Sequence, residues 1–369
     1  MTTRSTELLR VVHHRPGVTR ADAARLLGVG TGAATELVTK LSRARLLVQA
    51  PAAPSGARGR PTTVLLPHPE GPLVLAVAIN HEAWRIDVVE LGGTTATSRT
   101  GRHAATEWVP VRTAITAAVD DLLSRYGRRP RAIGVSGPGT VSRSFRLDAS
   151  GLNWHDVDLT ELWPAADVFV AGNDATLAAT AESSRGAAAG AAVALHLRIE
   201  AGLGGAVVEN GRPVIGARGA AGEFGHMPFG DPAITCPCGA RGCWGSAVDG
   251  TALARLLGDP PPRDPISYAR RIIATEEHLP AVRVVGEALG RGIAGLVNGL
   301  DADLVTLGGL GVDLLAAVPE AIHAAYRDGL MLIHRESPPP VIPATLGDDD
   351  GPIAGAAEEA WAALLPRLA

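Results

Sequence analysis

All three cysteines of the 369-residue chain fall within eight positions, Cys236-Pro237-Cys238-Gly239-Ala240-Arg241-Gly242-Cys243, and His226 stands ten residues ahead of them. Three thiols and an imidazole are four soft or borderline donors, the complement that a closed tetrahedral Zn²⁺ site takes. The glycines allow the tight turns that bring donors so close in sequence onto one ion. Four protein ligands leave no position for water, so the expected zinc is structural rather than catalytic. The spacing lacks the Cys-x-x-Cys of a thioredoxin-type pair, and three thiols do not make a disulfide framework.

The charge is split along the chain. Residues 1–62 hold nine Arg and one Lys against Glu7, Asp22 and Glu36, a net +7; the remainder carries 24 basic and 35 acidic residues, a net −11. A basic head on an acidic body points to a module that binds a polyanion, joined to something else. At roughly 150 residues per domain the length predicts two or three domains. The longest clean apolar run, Leu73 to Ile79, is far short of the ~20 residues a membrane helix needs. The first residues, Met1 to Glu7, carry no apolar signal segment, so a soluble cytoplasmic protein is expected.

The basic head has a readable order. Ser5 to His13 predicts a helix with Leu8, Leu9 and Val12 on one face, and Pro16-Gly17 ends it. Thr19 caps a second helix with Asp22 three residues on, and Gly28 turns the chain. A third helix runs from about Thr31 to Ala44, with Ala34, Leu37, Val38 and Leu41 at core spacing. Leu46-Leu47-Val48 and Thr63-Val64-Leu65-Leu66 predict two short strands. Three helices and a two-stranded wing make a winged helix-turn-helix, whose third helix enters the major groove of double-stranded DNA. The residues it would present are Thr31, Ala33, Thr35, Glu36 and Thr39, beside Gly32. This is a sparse set for reading bases: Glu36 can accept from a cytosine amine and Ala33 can touch a thymine methyl. In the wing, Arg58-Gly59-Arg60-Pro61 suits a narrow, electronegative minor groove. Pro67 to Pro72 is a proline-rich, semi-rigid linker.

Beyond the head, the Glu223-Phe224-Gly225-His226 segment and the cysteine loop together resemble the signature of the ROK family of repressors, open reading frames and sugar kinases. The resemblance continues through Ile133 to Val141, Leu152 to Leu162 and Gly172-Asn173-Asp174-Ala175. It extends through Gly202 to Gly205, Asn210-Gly211, Leu307-Gly308-Gly309, Leu346 to Asp349 and Gly355 to Ala357. It covers about residues 72–360. It implies an actin-like (ribonuclease H-like) two-lobe ATPase-type α/β fold behind the winged helix-turn-helix. The domains expected are the head over 1–68, a first lobe over 69–185 to which a helix at about 350–369 returns, and a second lobe over 186–349 with the zinc loop. Alternating strand and helix patterns support α/β lobes independently. Leu73–Ile79 and Ile86–Leu91 read as a hairpin, Val111–Tyr126 as a helix, Ala132–Val135 as a strand and Val282–Leu300 as a long helix.

The resemblance also implies which residues meet a sugar: Asn173, Asp174, Glu223 and His226, with one ring nitrogen of His226 on zinc and the other toward the ligand. Asp174 matches the base of the family's kinases. Two departures stand out. Where the kinases hold ATP phosphates in an Asp-x-Gly-Gly-Thr loop, this chain reads Ala78-Ile79-Asn80-His81-Glu82. Backbone N–H groups approach phosphate closely only where glycines permit, so no enzyme activity is expected. Two residues past the last cysteine, where the family has a sugar-contacting Glu, stands Gly245, so a simple hexose is not expected to bind tightly. The function expected is a transcriptional regulator, a repressor by its resemblance, controlled by a sugar or sugar-derived effector. It would bind a palindromic operator as a homodimer or dimer of dimers. The alternatives are an ATP-dependent sugar kinase and an effector-independent regulator with a vestigial ligand lobe.

Overall fold

The computed structural model describes residues 3–52, 63–103, 107–149 and 152–369. The chain divides into two compact units, one of residues 1–174 with 353–369 and one of residues 175–352. Among the described residues no helix is long and apolar enough to cross a membrane.

The first unit opens with three helices. Helix α1 (Arg4–His14) is capped by Thr3, whose hydroxyl accepts from the Thr6 N–H, and it buries Leu8, Leu9 and Val12. Helix α2 (Arg20–Leu27) starts under Thr19, which accepts from the Asp22 N–H, and stops at Gly28 with φ 63°. That left-handed turn costs glycine little and aims the chain into α3 (Thr31–Arg43), which buries Ala34, Val38 and Leu41. Strands β1 (Leu47–Pro51) and β2 (Thr63–Pro67) then pair antiparallel.

The rest of this unit is built on a five-stranded sheet. Its strands are β3 (Leu73–Ile79), β4 (Ala83–Glu90), β5 (Thr95–Arg102), β6 (Pro130–Gly137) and, later in the chain, Val168–Asn173. β3 is antiparallel to β4 and parallel to β6, and Val168–Asn173 is parallel to β6. β3 reads LVLAVAI because both faces of a central strand are covered. On one face lies α4 (Trp108–Tyr126) with Val111, Ile115, Val119 and Leu122. The C-terminal helix, Asp350–Leu368, packs so close that a Cβ on Gly134 would sit 2.0 Å from the Ala356 carbonyl oxygen. Strands β7 (Thr140–Val141), β8 (Arg146–Ala149) and β9 (Trp154–Asp158) form a small separate sheet. Val168–Asn173 is hereafter β10.

The second unit begins with α5 (Asp174–Arg185), described from Ala175 onward as part of it. Its five-stranded sheet runs β13 (Arg212–Pro213), β12 (Leu203–Glu209), β11 (Val193–Ile199), β14 (Leu304–Gly309), β15 (Val341–Pro343). β11 is antiparallel to β12 and parallel to β14. Helices α6 (Gly250–Leu257), α7 (Pro265–Ile273), α8 (Leu279–Leu300), α9 (Leu310–Ala317), α10 (Pro319–Gly329) and α11 (Leu332–Glu336) complete it. α8 starts three residues before its expected boundary, since Pro280 suits the first turn of a helix. It lies against α10 at a spacing only glycine allows: a Cβ on Gly290 would be 2.3 Å from the Ile322 carbonyl oxygen.

Candidate functional site

The cysteine loop is a chain of short backbone turns. The Cys236 N–H donates to Ala240 O (2.8 Å), Gly239 N–H to Cys236 O (2.9 Å) and Gly230 N–H to Gly242 O (2.9 Å). Gly239 and Gly242 take φ 92° and 70°, which side-chain-bearing residues rarely adopt. The loop is anchored by Trp244, fully buried, whose indole N–H donates to Ala288 O on α8 at 3.0 Å. The anchor fits because position 292 is glycine: a Cβ there would be 2.1 Å from the indole ring.

These turns bring one donor atom from each of His226, Cys236, Cys238 and Cys243 to within 4.8 Å of one another. Cys238 Sγ lies 3.7 Å from Cys243 Sγ, and Cys236 Sγ lies 3.8 Å from His226 Nδ1. Two sulfurs at Zn–S distances of about 2.3 Å and a tetrahedral angle are about 3.8 Å apart, and a sulfur and an imidazole nitrogen about 3.6 Å. The donor set therefore fits one tetrahedral ion. Burial pushes the Cys243 thiol up to about 12, so a thiolate there needs a cation beside it.

His226 turns its other nitrogen outward. Nε2 is 3.8 Å from Glu223 Oε2, and both side chains are about half exposed. The segment carrying them lies flat on β12. Gly222 has φ 95° and a Cβ there would meet Gly205 O at 2.1 Å; one on Gly225 would meet Leu203 O at 2.2 Å. Gly245 borders the same segment, its Cβ position 3.4 Å from Gly225 O and 3.3 Å from Leu203 N. The structure thus joins Glu223, His226 and the three cysteines into one constellation.

Asn173 and Asp174 form another. Asn173 ends β10 opposite Gly137 of β6, and its Nδ2 donates to Gly139 O at 3.1 Å. Gly139 is held against β8, where a Cβ would meet Asp148 O at 2.2 Å. Asp174 is the first residue of α5, in the helix's first turn. A strand end, a glycine loop and a carboxylate at a helix start are thereby tied together. Nearby in the sheet, the β3–β4 turn is closed by Asn80, whose Oδ1 accepts from Glu82 N–H (3.0 Å) and Ala83 N–H (2.7 Å).

On α3, Thr31, Ala33, Thr35, Glu36 and Thr39 are all exposed. The hydroxyls of Thr35 and Thr39 donate to the carbonyls of Thr31 and Thr35, both at 2.8 Å. Their protons are spent on the helix itself. Arg58 and Arg60 lie outside the described residues.

A third cluster escaped the sequence reading. Glu182 of α5, buried, accepts from the N–H groups of Thr345 (2.9 Å) and Leu346 (2.7 Å). Buried Arg198 donates to Asp348 O at 2.6 Å. His196 Nδ1 is 2.9 Å from Thr306 Oγ1, and burial pushes the ring's pKa down to about 3. Its Nε2 has no described partner and borders a cavity of about 10 Å³, room for roughly one water. A buried acid and a buried arginine amid alanine and leucine were the available signal.

The ROK family model matches residues 85–362. The chain belongs to the ROK family. The glucokinase of Streptomyces coelicolor is 28% identical over 304 residues, 73% of this chain and 95% of its own length. The kanosamine kinase of Amycolatopsis mediterranei is 32% identical over 237 residues, 61% of this chain and 76% of its own. The crystal structure of a ROK family transcriptional regulator, a homologue of the E. coli MLC protein, matches with TM-score 0.79 at 20% identity. It covers 99% of this chain and 97% of that one, and at that identity the likeness speaks for the fold alone. The body of this ROK chain is a mixed α/β fold of the actin-like sugar-kinase type. The expectation that the chain is not an enzyme is overturned by these relatives, which are sugar kinases across most of the body. That expectation weighed two short stretches, Ala78 to Glu82 and Glu200-Ala201 ahead of Gly202; the likeness to kinases extends over hundreds of residues.

Proposed function

We propose that this ROK chain is a sugar-responsive transcriptional regulator, a winged helix-turn-helix head on a sugar-binding body. The observation that carries this is the head: three helices, the first two capped by threonine, and an antiparallel strand pair, rich in arginine, standing ahead of the stretch that the family model matches. In this reading the DNA-binding domain is 1–68, with lobes at 69–185 and 186–349. α3 lies in the major groove of a palindromic operator with Thr31, Ala33, Thr35, Glu36 and Thr39 toward the bases, and Arg58 and Arg60 follow the minor groove. Two-fold operators call for a homodimer or a dimer of dimers.

The sugar meets Asn173, Asp174, Glu223 and His226: carboxylates accept from vicinal hydroxyls, and the amide donates and accepts. A structural Zn²⁺ is held by His226, Cys236, Cys238 and Cys243. It neutralises the thiolates and holds Nδ1 of His226, so that Nε2 stays aimed on the Glu223 side. A sugar releases or tightens the head only through different affinities for two states of the protein. The test is a gel-shift titration of the full chain against DNA flanking its own gene, with a sugar panel. Salt-dependent binding altered by one sugar is expected; absence of binding to any such DNA overturns the reading.

A second reading, ATP-dependent phosphorylation of a sugar, is favoured by the kinase relatives. Asp174 then accepts the proton of the attacking hydroxyl. A coupled assay with ATP across sugars tests it: turnover lost in Asp174→Asn supports it, and no turnover with any sugar removes it.

A further inference from the structure

The first unit carries a cavity lined by none of the metal, sugar or DNA site residues named above. It measures about 300 Å³ and is lined by Arg128, Arg129, Arg131 and Arg367. Among the described residues that line it, none is acidic. Arg131 is paired with Asp167, and Arg367 donates to the carbonyl oxygen of the same residue. Arg129 spends Nε on Gly71 O at 2.9 Å, which fixes the guanidinium and leaves its two terminal nitrogens. Arg128 is exposed, with no hydrogen-bond or ion-pair partner among the described residues. Asp167 neutralises Arg131, but Arg128, Arg129 and Arg367 have no carboxylate partner among the described residues, and this surplus of positive charge attracts an anion.

Ala44 and Leu46 at the base of the head's strand pair, Pro72 at the start of the sheet and Leu368 of the last helix complete the lining. The volume is near the lower bound of small-molecule sites, larger than a bare ion needs, and fits an anion that carries a carbon skeleton. Guanidinium forks match phosphate oxygens two at a time.

We infer that this cavity binds a small phosphate ester, which bridges the head, the sheet and the C-terminal helix. The site is separate from Asn173, Asp174, Glu223 and His226 and stands whether or not the head reads an operator.

The test uses the full chain and probes that are not sugars: glycerol 3-phosphate, inorganic phosphate and glycerol. Calorimetry is expected to show one saturable site per chain for glycerol 3-phosphate, weaker binding of inorganic phosphate and none of glycerol. The double variant Arg128→Ser, Arg367→Ser changes two exposed side chains, so it keeps the wild-type melt in phosphate-free buffer. It is expected to weaken binding about ten-fold or more, since charge-assisted bonds to phosphate are lost. Arg283→Ser, an exposed arginine on α8, is expected to change nothing. No saturable binding at millimolar ester, or equal weakening in Arg283→Ser, overturns the proposal. A double variant that loses affinity for duplex DNA while the wild type ignores the ester also overturns it, and hands the arginines to a nucleic-acid backbone.

Discussion

The cysteine loop and helix α3 are the two surfaces proposed to bind, one a metal and the other DNA, and they are built in opposite ways. In the loop the donors are fixed by geometry: three thiols and an imidazole come to one place, and Gly230 and Gly242 lie against neighbouring backbone oxygens. On α3 the residues proposed to meet DNA are all exposed, and two of them, Thr35 and Thr39, are bonded to their own helix. A site held by covalent donors tolerates no change of residue. A site that is only a face tolerates many, and its chemistry comes from what it meets.

The sharpest way to break this contrast is Cys243→Ser. Cys243 is the buried thiol of the four donors. Its replacement is expected to release the metal and cost about 5 kcal/mol or more, the scale reached when a structural metal is lost. Metal content by mass spectrometry and a thermal melt read it. A variant that keeps one metal per chain and melts with the wild type would reduce the loop to packing.

Asp249 lies just beyond the loop, buried, where it caps α6 by accepting from the Ala252 N–H at 2.8 Å. Burial raises its carboxyl from 3.8 to about 6. The folded chain thus holds this proton more tightly than the unfolded chain. The penalty for the charged form is absent below about 3.8, grows as pH rises and is fully present above about 6. Asp249→Asn keeps the cap's acceptor and removes the charge. It is expected to stabilise the protein by about 2–3 kcal/mol at pH 8 and by little at pH 4, following the size of the shift. Acid also strips thiolate metals, so the measured quantity is the difference between variant and wild type at each pH. A difference that does not change with pH would mean that the carboxylate is not strained.

The head meets the rest of its unit through a buried polar contact. Gly92 N–H donates to His13 Nδ1 at 3.0 Å, leaving Nε2 to face Glu358 Oε2 at 3.1 Å, with both side chains buried. Glu358→Ala strands a buried imidazole and is expected to cost about 1–3 kcal/mol. Because the loop is elsewhere, metal content should not move while proteolysis in the Pro67–Pro72 linker quickens. Unchanged cleavage would show that the His13–Glu358 contact does not hold the head in place.

What could be read in advance follows the same division. β3, α4, α8, the helix caps and the donor set all left local patterns: an apolar run, a 3.6-residue period, a Thr three residues before an Asp, cysteines within a span of eight positions. The roles of Gly222 and Gly225 were half legible, since the glycines were visible but not the strand they press on. Glu182 with Thr345, His13 with Glu358, and the arginines at 128–131 with Arg367 left none. Each joins residues more than a hundred positions apart, and no periodicity records such a meeting. The misjudged enzyme question has the same origin: short stretches such as Ala78 to Glu82 were legible in isolation, and the body around them was not.

The smallest effect belongs to Glu36. It is exposed in the middle of α3, with no partner among its own neighbours that a stability measurement would register. Glu36→Ala is expected to leave the melt within about 0.5 kcal/mol of wild type, as surface substitutions do. Its effect on DNA separates two roles. If the carboxylate accepts from a cytosine amine, the variant loses about 1–3 kcal/mol of discrimination at one base pair and little elsewhere. If it merely repels phosphate, affinity rises by a similar factor on every sequence and no base preference changes. A panel of operators substituted one pair at a time distinguishes them, and the uniform rise would leave α3 without a base reader among its exposed side chains. Specificity would then have to come from the shape of the DNA rather than from contact with its edges.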